Sequence, residues 1–346
     1  DGSENPVAYA RPGASIHEPV IFLRVPPQYK NNVGHFLRVV RLIPVERDGE
    51  KTGLYRERLH KELLDPLHTI TAALRLEAMG SDAVGLLKGG LKSEHPLVRF
   101  AAAEALAYLD CSACGETLAE LAEEHPELRT YCLAALASLN ESVSHVELEK
   151  LLGSQSTDTR YGAFRGLLVL DEQDPAVRGE LLNNAVWLHH VAPHTPALVH
   201  LSANRRPEVV EFGDDIRLVP PFEILAGDYT FVAGKADSCC TISRFALHKG
   251  IKRVQCGLEL DDVLHALTAL GGQYADVFEL VQQADRSRVL TCPVAINALP
   301  QAEQVEQLAR TGKDLKDTPE EIRNARTELG TTPTLFENQT TRAPGR

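Results

Sequence analysis

The clearest reactive pair in the sequence is Cys111 and Cys114, which are separated by two residues. This C-x-x-C spacing occurs in zinc sites and in thiol redox sites. A zinc site needs a second pair of ligands, and the sequence has none at the usual spacing. A thioredoxin-like site needs a strand–helix–strand setting, whereas this pair follows a helical segment. We interpret both residues as loop cysteines without a reactive role, and a local disulfide is the alternative in an oxidising compartment.

Four histidines, His189, His190, His194 and His200, lie close together in the sequence. Two histidines on one helical face can hold zinc. Pro193 is expected to end a helix before His194, no HExxH motif is present, and no carboxylate lies at the expected spacing. We therefore interpret them as surface histidines at a helix end. No metal and no other cofactor is predicted.

Three arginines, Arg99, Arg129 and Arg160, recur at nearly constant spacing. In a stacked array such a ladder usually satisfies neighbouring carboxylates and helix ends, which is a structural role. The alternative is a stripe on the repeat surface that binds anions. The sequence contains no GxSxG, Walker A or GxGxxG motif, so nothing in it indicates an enzyme.

The arginines belong to an internal repeat. Four similar stretches begin at Thr69, Arg99, Arg129 and Arg160, at intervals of about 30 residues. Each has a small residue, then Leu four positions on, then a further apolar residue three positions on, which is one face of a helix. These residues are Ala72, Leu76 and Met79; Ala102, Leu106 and Leu109; Cys132, Leu136 and Leu139; and Ala163, Leu167 and Leu170. A fixed period of about 30 residues is typical of a solenoid.

The repeat unit of two helices, with Arg at the start of the second, resembles HEAT repeats of the short, bacterial kind. The resemblance implies about four helix pairs plus a cap over residues 54–191. Asp174-Pro175 is expected to open the capping helix, which continues to about His190.

Other parts of the chain follow a different pattern. Residues 1–15 are predicted to be a flexible lead-in, and 16–50 a strand followed by a helix. Residues 196–298 contain short β-rich runs separated by Gly and Pro, then two helical segments, which predicts a β-rich α/β domain. Residues 299–346 are predicted to be a polar, helical or disordered tail. The fold class is therefore α+β and multi-domain.

Charge and composition exclude some classes of function. A formal net charge of −12 argues against nucleic acid as the main partner. No run of 18 apolar residues exists, so no membrane span is predicted. The chain begins at Asp1 rather than Met, so we expect a processed product or a fragment whose targeting signal lies upstream.

The segment from Leu247 to Ile296 resembles the carboxyl-terminal end of the bacterial flagellar P-ring protein family. In that family a strand is followed by a leucine-patterned helix ending in Ala-Leu-Gly, a short aspartate-led helix and a last strand with a cysteine nearby. The corresponding runs here are His248-Lys-Gly-Ile-Lys-Arg-Val254, Leu260-Asp-Asp-Val-Leu-His-Ala-Leu-Thr-Ala-Leu-Gly271, Asp276-Val-Phe-Glu-Leu-Val-Gln282 and Leu290-Thr-Cys-Pro-Val-Ala-Ile296.

This resemblance implies a periplasmic structural protein that carries an intramolecular disulfide, assembles into a ring around the flagellar rod and has no catalytic residues. The family's glycine-rich amino-terminal region is absent here, and a HEAT-like array is not part of its usual members. The array would then be an insertion. Residues 16–50 and the carboxyl-terminal domain would pack together on either side of it.

The cysteines of the β-rich domain bear on the implied disulfide. Cys239 and Cys240 are adjacent in a predicted strand and face opposite ways, so at most one can pair with Cys292 or Cys256 inside the domain. In a periplasmic protein we expect the pair Cys240–Cys292.

Two functional hypotheses follow. The first is a P-ring-like structural subunit that acts through self-assembly in the periplasm and contact with rod proteins, with the array as an added interaction arm. The second is a cytoplasmic, non-enzymatic HEAT-type adaptor whose array surface binds another protein. A lyase-type enzyme on HEAT-like repeats is disfavoured, because no acid–base constellation stands out.

Overall fold

The computed structural model describes residues 8–11, 20–44, 49–191, 195–246, 250–300 and 332–336. Its helices and sheets agree with the predicted α+β class. The described residues form two compact units. The first contains those up to Leu148 together with Pro300 and 332–336, and the second is Glu149–Leu299. None of the helices in the described part of the chain has both the length and the apolar character needed to cross a bilayer.

The first unit contains one small sheet and a succession of helices. Strand β1 (Ala8–Arg11) pairs antiparallel with β2 (Val20–Leu23). The helices are α1 (Val33–Arg41), α2 (Gly49–Leu63), α3 (Thr69–Met79), α4 (Val84–Gly90), α5 (Pro96–Tyr108), α6 (Gly115–Glu124), α7 (Pro126–Leu136) and α8 (Ser142–Leu151), the last of which crosses the unit boundary. Pro96 and Pro126 open their helices at the first position, where the missing N–H has no intrahelical partner to lose.

The four aligned stretches are helical, as the repeat predicts. They form α3, α5, α7 and α9 (Thr157–Leu170). The first two apolar positions are completely buried in every copy; they are Ala72, Leu76, Ala102, Leu106, Cys132, Leu136, Ala163 and Leu167. The third position is buried only at Leu139 and half-buried at Met79, Leu109 and Leu170, because it falls at the helix ends. Helix α9 belongs to the second unit rather than to the first.

The predicted capping helix from Asp174 to His190 is wrong. This stretch contains the antiparallel strands β3 (Gly179–Leu182) and β4 (Val186–Val191). Asn183 and Asn184 turn the chain between them with φ of 45° and 56°, a left-handed conformation that asparagine tolerates better than most residues. The helical part of the predicted 54–191 array therefore ends with α9.

Among the described residues, the second unit adds seven strands and two helices to α9, β3 and β4. Its further elements are β5 (Leu198–Leu201), β6 (Glu208–Phe212), β7 (Phe222–Ala226), β8 (Tyr229–Ala233), β9 (Cys240–Ala246), β10 (Gly250–Cys256), α10 (Leu260–Ala269), α11 (Tyr274–Arg286) and β11 (Val294–Ile296). One sheet is mixed, with the order β11-β5-β6-β4-β3, and the other is an antiparallel meander with the order β10-β9-β8-β7. The β-rich domain predicted for 196–298 thus starts earlier, at β3.

A single hydrophobic core joins both sheets to α10 and α11. It includes Ile224, Phe231, Ile242, Leu264 and Leu280, each of which is at most 3% exposed. Strand β7 alternates between buried and exposed residues, as expected for a sheet with one open face. Strands β5 and β6 are buried along their whole length, so both of their faces are covered.

The strand–helix prediction for residues 16–50 is confirmed by β2 and α1, but its expected packing partner is not. Helix α1 packs against α3 and belongs to the helical unit, not to the carboxyl-terminal domain. Residues 215–219, which look like a strand in the sequence, form only isolated bridges at Arg217 and Leu218.

Parts of the predicted lead-in and tail are ordered. Strand β1 lies inside residues 1–15. Within 332–336, the Leu335 amide donates to the Asn31 carbonyl at 3.0 Å, and Phe336 is 1% exposed. These residues are therefore not disordered, and most of the predicted tail lies outside the described residues.

We predict that Leu106→Ala lowers the free energy of unfolding by about 2–5 kcal/mol, because Leu106 is completely buried and its loss leaves a cavity. Val146→Ala, at a position that is 46% exposed, is the control and should change it by less than about 0.5 kcal/mol. Chemical denaturation followed by circular dichroism measures both. Equal effects of the two changes would contradict the repeat core described above.

Candidate functional site

The three predicted arginines each have a local partner. Nη1 of Arg99 lies 3.8 Å from Oε2 of Glu120. Nε of Arg129 donates to the Ala122 carbonyl at 3.0 Å. The Arg160 guanidinium donates to the Pro196 carbonyl, and the residue is only 4% exposed. These contacts favour the structural role for the arginines over an anion-binding stripe.

All seven cysteines are free thiols in the structure. The predicted Cys240–Cys292 bond is not formed, although both residues are buried in the same core. Cys240 instead lies opposite Cys256 in the register of β9 and β10, and Sγ of Cys256 is 3.8 Å from the Cys240 carbonyl oxygen. The sequence left Cys256 open as a partner, and the strand register places it beside Cys240.

The C-x-x-C pair lies on the turn before α6, as predicted. Sγ of Cys114 donates to the Cys111 carbonyl at 3.2 Å. Cys114 is completely buried, and this burial raises the pKa of its thiol to about 12. A thiol that stays protonated is a poor nucleophile and metal ligand, which favours the interpretation as loop cysteines.

The histidines lie on strands rather than at a helix end. His189 and His190 are neighbours on β4 and His200 is on β5, whereas His194 lies outside the described residues. Adjacent strand residues face opposite ways, so His189 is 1% exposed while the His190 side chain is 52% exposed. His189 and His190 therefore belong to two different clusters.

The inward histidines surround the buried carboxylate of Glu208 on β6. Tyr161 Oη on α9 donates to Oε1 of Glu208 at 2.9 Å, and Nε of Arg206 donates to Oε2 at 2.8 Å. Nε2 of His189 lies 3.7 Å from the same Oε2. The His200 ring stacks on the Tyr161 ring with centroids 3.5 Å apart. The carboxylate thus ties α9 to β4 and β6, and the stacked His200 ring adds a contact with β5.

Burial and charge set the protonation states in this cluster. Burial alone would raise the pKa of Glu208, but the positive charges of Arg165 and Arg206 outweigh it and hold that pKa below its usual value. Burial lowers the pKa of His200 to about 3, so its imidazole is neutral near pH 7. Tyr161, His200 and Glu208 are each at most 1% exposed, so a substrate cannot reach them. The cluster contributes to the packing of α9 on the mixed sheet.

A second buried polar cluster lies in the first unit and surrounds His35 of α1. Nε2 of His35 is 2.8 Å from Oε2 of Glu77 on α3, and its Nδ1 is 3.5 Å from Oε1 of Glu104 on α5. Tyr29 Oη donates to Glu77 at 2.6 Å, and the Tyr108 ring stacks on His35 with centroids 4.3 Å apart. Burial lowers the pKa of His35, but the two carboxylates outweigh this effect and raise it.

Sequence motifs do not reveal this cluster, although the sequence contains one sign of it. Glu104 stands in an otherwise apolar run of α5, at the position where α3 has Leu74. A carboxylate at a buried position needs a partner. Burial also raises the pKa of the Glu104 carboxyl. His35, its partner, is too far away in the sequence to be identified from spacing.

A further feature of the second unit is the outer surface of β7–β10, which we call the open sheet face. It carries four large apolar side chains, Leu225, Val232, Phe245 and Ile251, which are 42–63% exposed. Phe245 and Ile251 are direct cross-strand neighbours. In the part of the chain that the structure describes, β10 pairs with β9 alone and is therefore an edge strand. An exposed apolar face beside such an edge is suited to contact with another protein.

The chain was compared with protein-family models, curated proteins and solved structures. No protein-family model, curated protein or solved structure matches it.

The Glu208 cluster predicts a pH-dependent stability. His200 has an ordinary pKa of 6.5 when unfolded and about 3 when folded, so between these values the unfolded state binds more protons. The free energy of unfolding should therefore fall as the pH drops below 6.5, by about 2 kcal/mol at pH 5 from this residue. His200→Gln should remove that share of the difference between pH 7 and pH 5.

Fluorescence of Trp187, the single tryptophan, measures the unfolding of the second unit. In the folded state the Arg206 guanidinium lies 4.8 Å from the indole ring, and unfolding removes this contact. His68→Gln is the control, since the His68 side chain is 63% exposed, and it should keep the pH dependence of the original chain. If His200→Gln also keeps that dependence, the neutral buried imidazole is not its source.

Proposed function

We propose that this chain is a structural subunit that acts by assembling with other protein chains, in the manner of the flagellar P-ring family that its carboxyl-terminal segment resembles. It would work in the periplasm, as part of a ring around the flagellar rod. The helical repeats, HEAT-like in period, would serve as an added interaction arm. The single observation that carries the proposal is the open sheet face with its unpaired edge strand β10.

The chemistry of that face supports contact with protein rather than with a small molecule. Leu225 is 63% exposed and Ile251 is 56% exposed, on the two outermost strands of the meander. A face of this kind gains free energy when another surface removes it from water. Strand β10 also offers backbone N–H and C=O groups along one side, to which a further strand can be added.

The order of elements supports the same proposal. The segment that carries the resemblance folds as strand β10, helix α10, helix α11 and strand β11. This is the order of strand, leucine-patterned helix, aspartate-led helix and last strand that the resemblance implies. Cys292 lies two residues before β11, where the family has a nearby cysteine. The resemblance and the open sheet face therefore share strand β10.

The buried clusters also suit a structural role. Glu208 and His35 use their charges to hold elements together inside the two units, and both side chains are buried. Such networks favour a single rigid arrangement, which a subunit needs if it is to repeat in an assembly.

The test is the self-association of the full chain, measured by sedimentation velocity over a range of concentrations. We predict that Ile251→Lys weakens association at least about tenfold, because a charge on an edge strand must be desolvated when another strand pairs with it. Leu37→Lys is the matched control, since Leu37 is 43% exposed on α1, outside both the repeats and the open sheet face, and it should leave association unchanged.

Two results would contradict the proposal. Unchanged association of the Ile251→Lys variant would show that the open sheet face is not the contact. A chain that stays monomeric at every concentration would argue against self-assembly and favour the alternative function, a non-enzymatic adaptor whose repeats bind another protein.

A further inference from the structure

A group of histidine and carboxylate side chains converges on the surface of the second unit. Three of them, Glu180 on β3 with Asp261 and His265 on α10, place one ligand atom each within 4.8 Å of the others. His190 on β4 joins them, with Nε2 at 3.6 Å from Oδ1 of Asp261. Glu211 on β6 lies behind His190. None of these residues takes part in the Glu208 cluster or the open sheet face.

Both imidazoles are oriented by an oxygen atom on one side. Nδ1 of His265 is 3.0 Å from the Asp261 carbonyl oxygen, and its Nε2 is 3.1 Å from Oε1 of Glu180. Nδ1 of His190 is 3.4 Å from Oε2 of Glu211, and its Nε2 faces Asp261. Histidines that bind metals in proteins are oriented in this way, with one ring nitrogen held by a carbonyl or carboxylate and the other directed to the ion.

The buried member of the group provides an independent observation. Glu211 is only 5% exposed, and its Oε1 has no hydrogen-bond partner among the described residues. Oδ1 of Asp261, by contrast, already lies 2.9 Å from Nδ1 of His265. A buried carboxylate oxygen without a partner is costly, because it has lost water and gained nothing in return. A cation held beside His190 would compensate the charges of both carboxylates.

We propose that Glu180, His190, Asp261 and His265 bind a divalent metal ion of the zinc class, with Glu211 holding His190 in place as a positioning residue. Two imidazoles and two carboxylates are a ligand set that suits Zn²⁺ and its neighbours, whereas Mg²⁺ and Ca²⁺ prefer oxygen ligands alone. The four side chains are 38–54% exposed, which leaves room for the small rotations that bring ligand atoms to bonding distance. The sequence analysis predicted no metal.

The site links elements that are distant in the chain. A bound ion would connect β3 and β4 to α10 across the end of the mixed sheet. It would therefore stabilise the second unit whether or not the chain assembles as proposed above. The two proposals can fail separately, since one is measured by association and the other by metal binding.

The experiment uses the full chain, stripped with a chelator and titrated with Zn²⁺ in an isothermal titration calorimeter. We predict one site of about micromolar affinity. His265→Gln and Asp261→Asn should each weaken binding at least tenfold by removing a ligand, and Glu211→Gln should weaken it about tenfold by releasing His190. The half-exposed position of His265 makes a folded variant the expected product, which Trp187 fluorescence verifies.

The control is His68→Gln. His68 also lies beside a carboxylate, that of Asp65 at 2.5 Å, but it is not part of the ligand group, so the variant should bind Zn²⁺ as the original chain does. Co²⁺ substitution separates this site from the seven thiols, because thiolate ligands give intense charge-transfer absorption and nitrogen and oxygen ligands do not. Three results would each overturn the proposal and leave an ordinary network of ion pairs. They are thiolate bands in the Co²⁺ spectrum, Zn²⁺ binding by His265→Gln and Asp261→Asn within twofold of the original chain, and no Zn²⁺ binding below about 1 mM.

Discussion

The second unit depends on the burial of one carboxylate. Glu208 is 1% exposed, and it would not remain ionised there without the hydrogen bonds from Tyr161 and Arg206 and the nearby charge of Arg165. Removing one partner of such a group costs far more than the pair contributes over an apolar substitute. The position of α9 on the mixed sheet is therefore specified by charge as well as by shape.

The first unit uses the same principle with a different set of residues. His35 of α1 is held between Glu77 of α3 and Glu104 of α5, so two successive repeats share one imidazole. Repeat helices with apolar faces can slide past one another at little cost, because many registers bury similar areas. A buried ion pair permits only one register, which is a reason for polar residues in an Ala-rich core.

The sequence predicted the features that repeat within a short window and missed those that do not. Ala102 and Leu106 recur at helical spacing, and the helices lie where this spacing places them. The sequence predicts a capping helix from Asp174 to His190 because Asp174-Pro175 can open a helix, but the pairing of β4 with β6 decides the structure of its later part. Propensity over a few residues cannot detect a partner more than fifteen residues away.

The candidate sites show the same limit more strongly. The arginine column and the C-x-x-C pair were visible as motifs, and their contacts are those of packing. The ligand group could not be found, because Glu180, His190 and Asp261 come from separate elements and meet only after both β3 and α10 have docked. Spacing identifies sites on one element, whereas sites assembled from several elements require the tertiary structure.

The contact of residues 332–336 with the first unit has a consequence for synthesis of the chain. Oγ1 of Thr334 accepts from the Val33 amide across 301 residues of sequence. A ribosome releases residues 33–41 before residues 332–336, so α1 waits for this contact until the later segment has emerged. During that time the site that Phe336 fills stays open. The first unit to begin folding is thus the last to be completed.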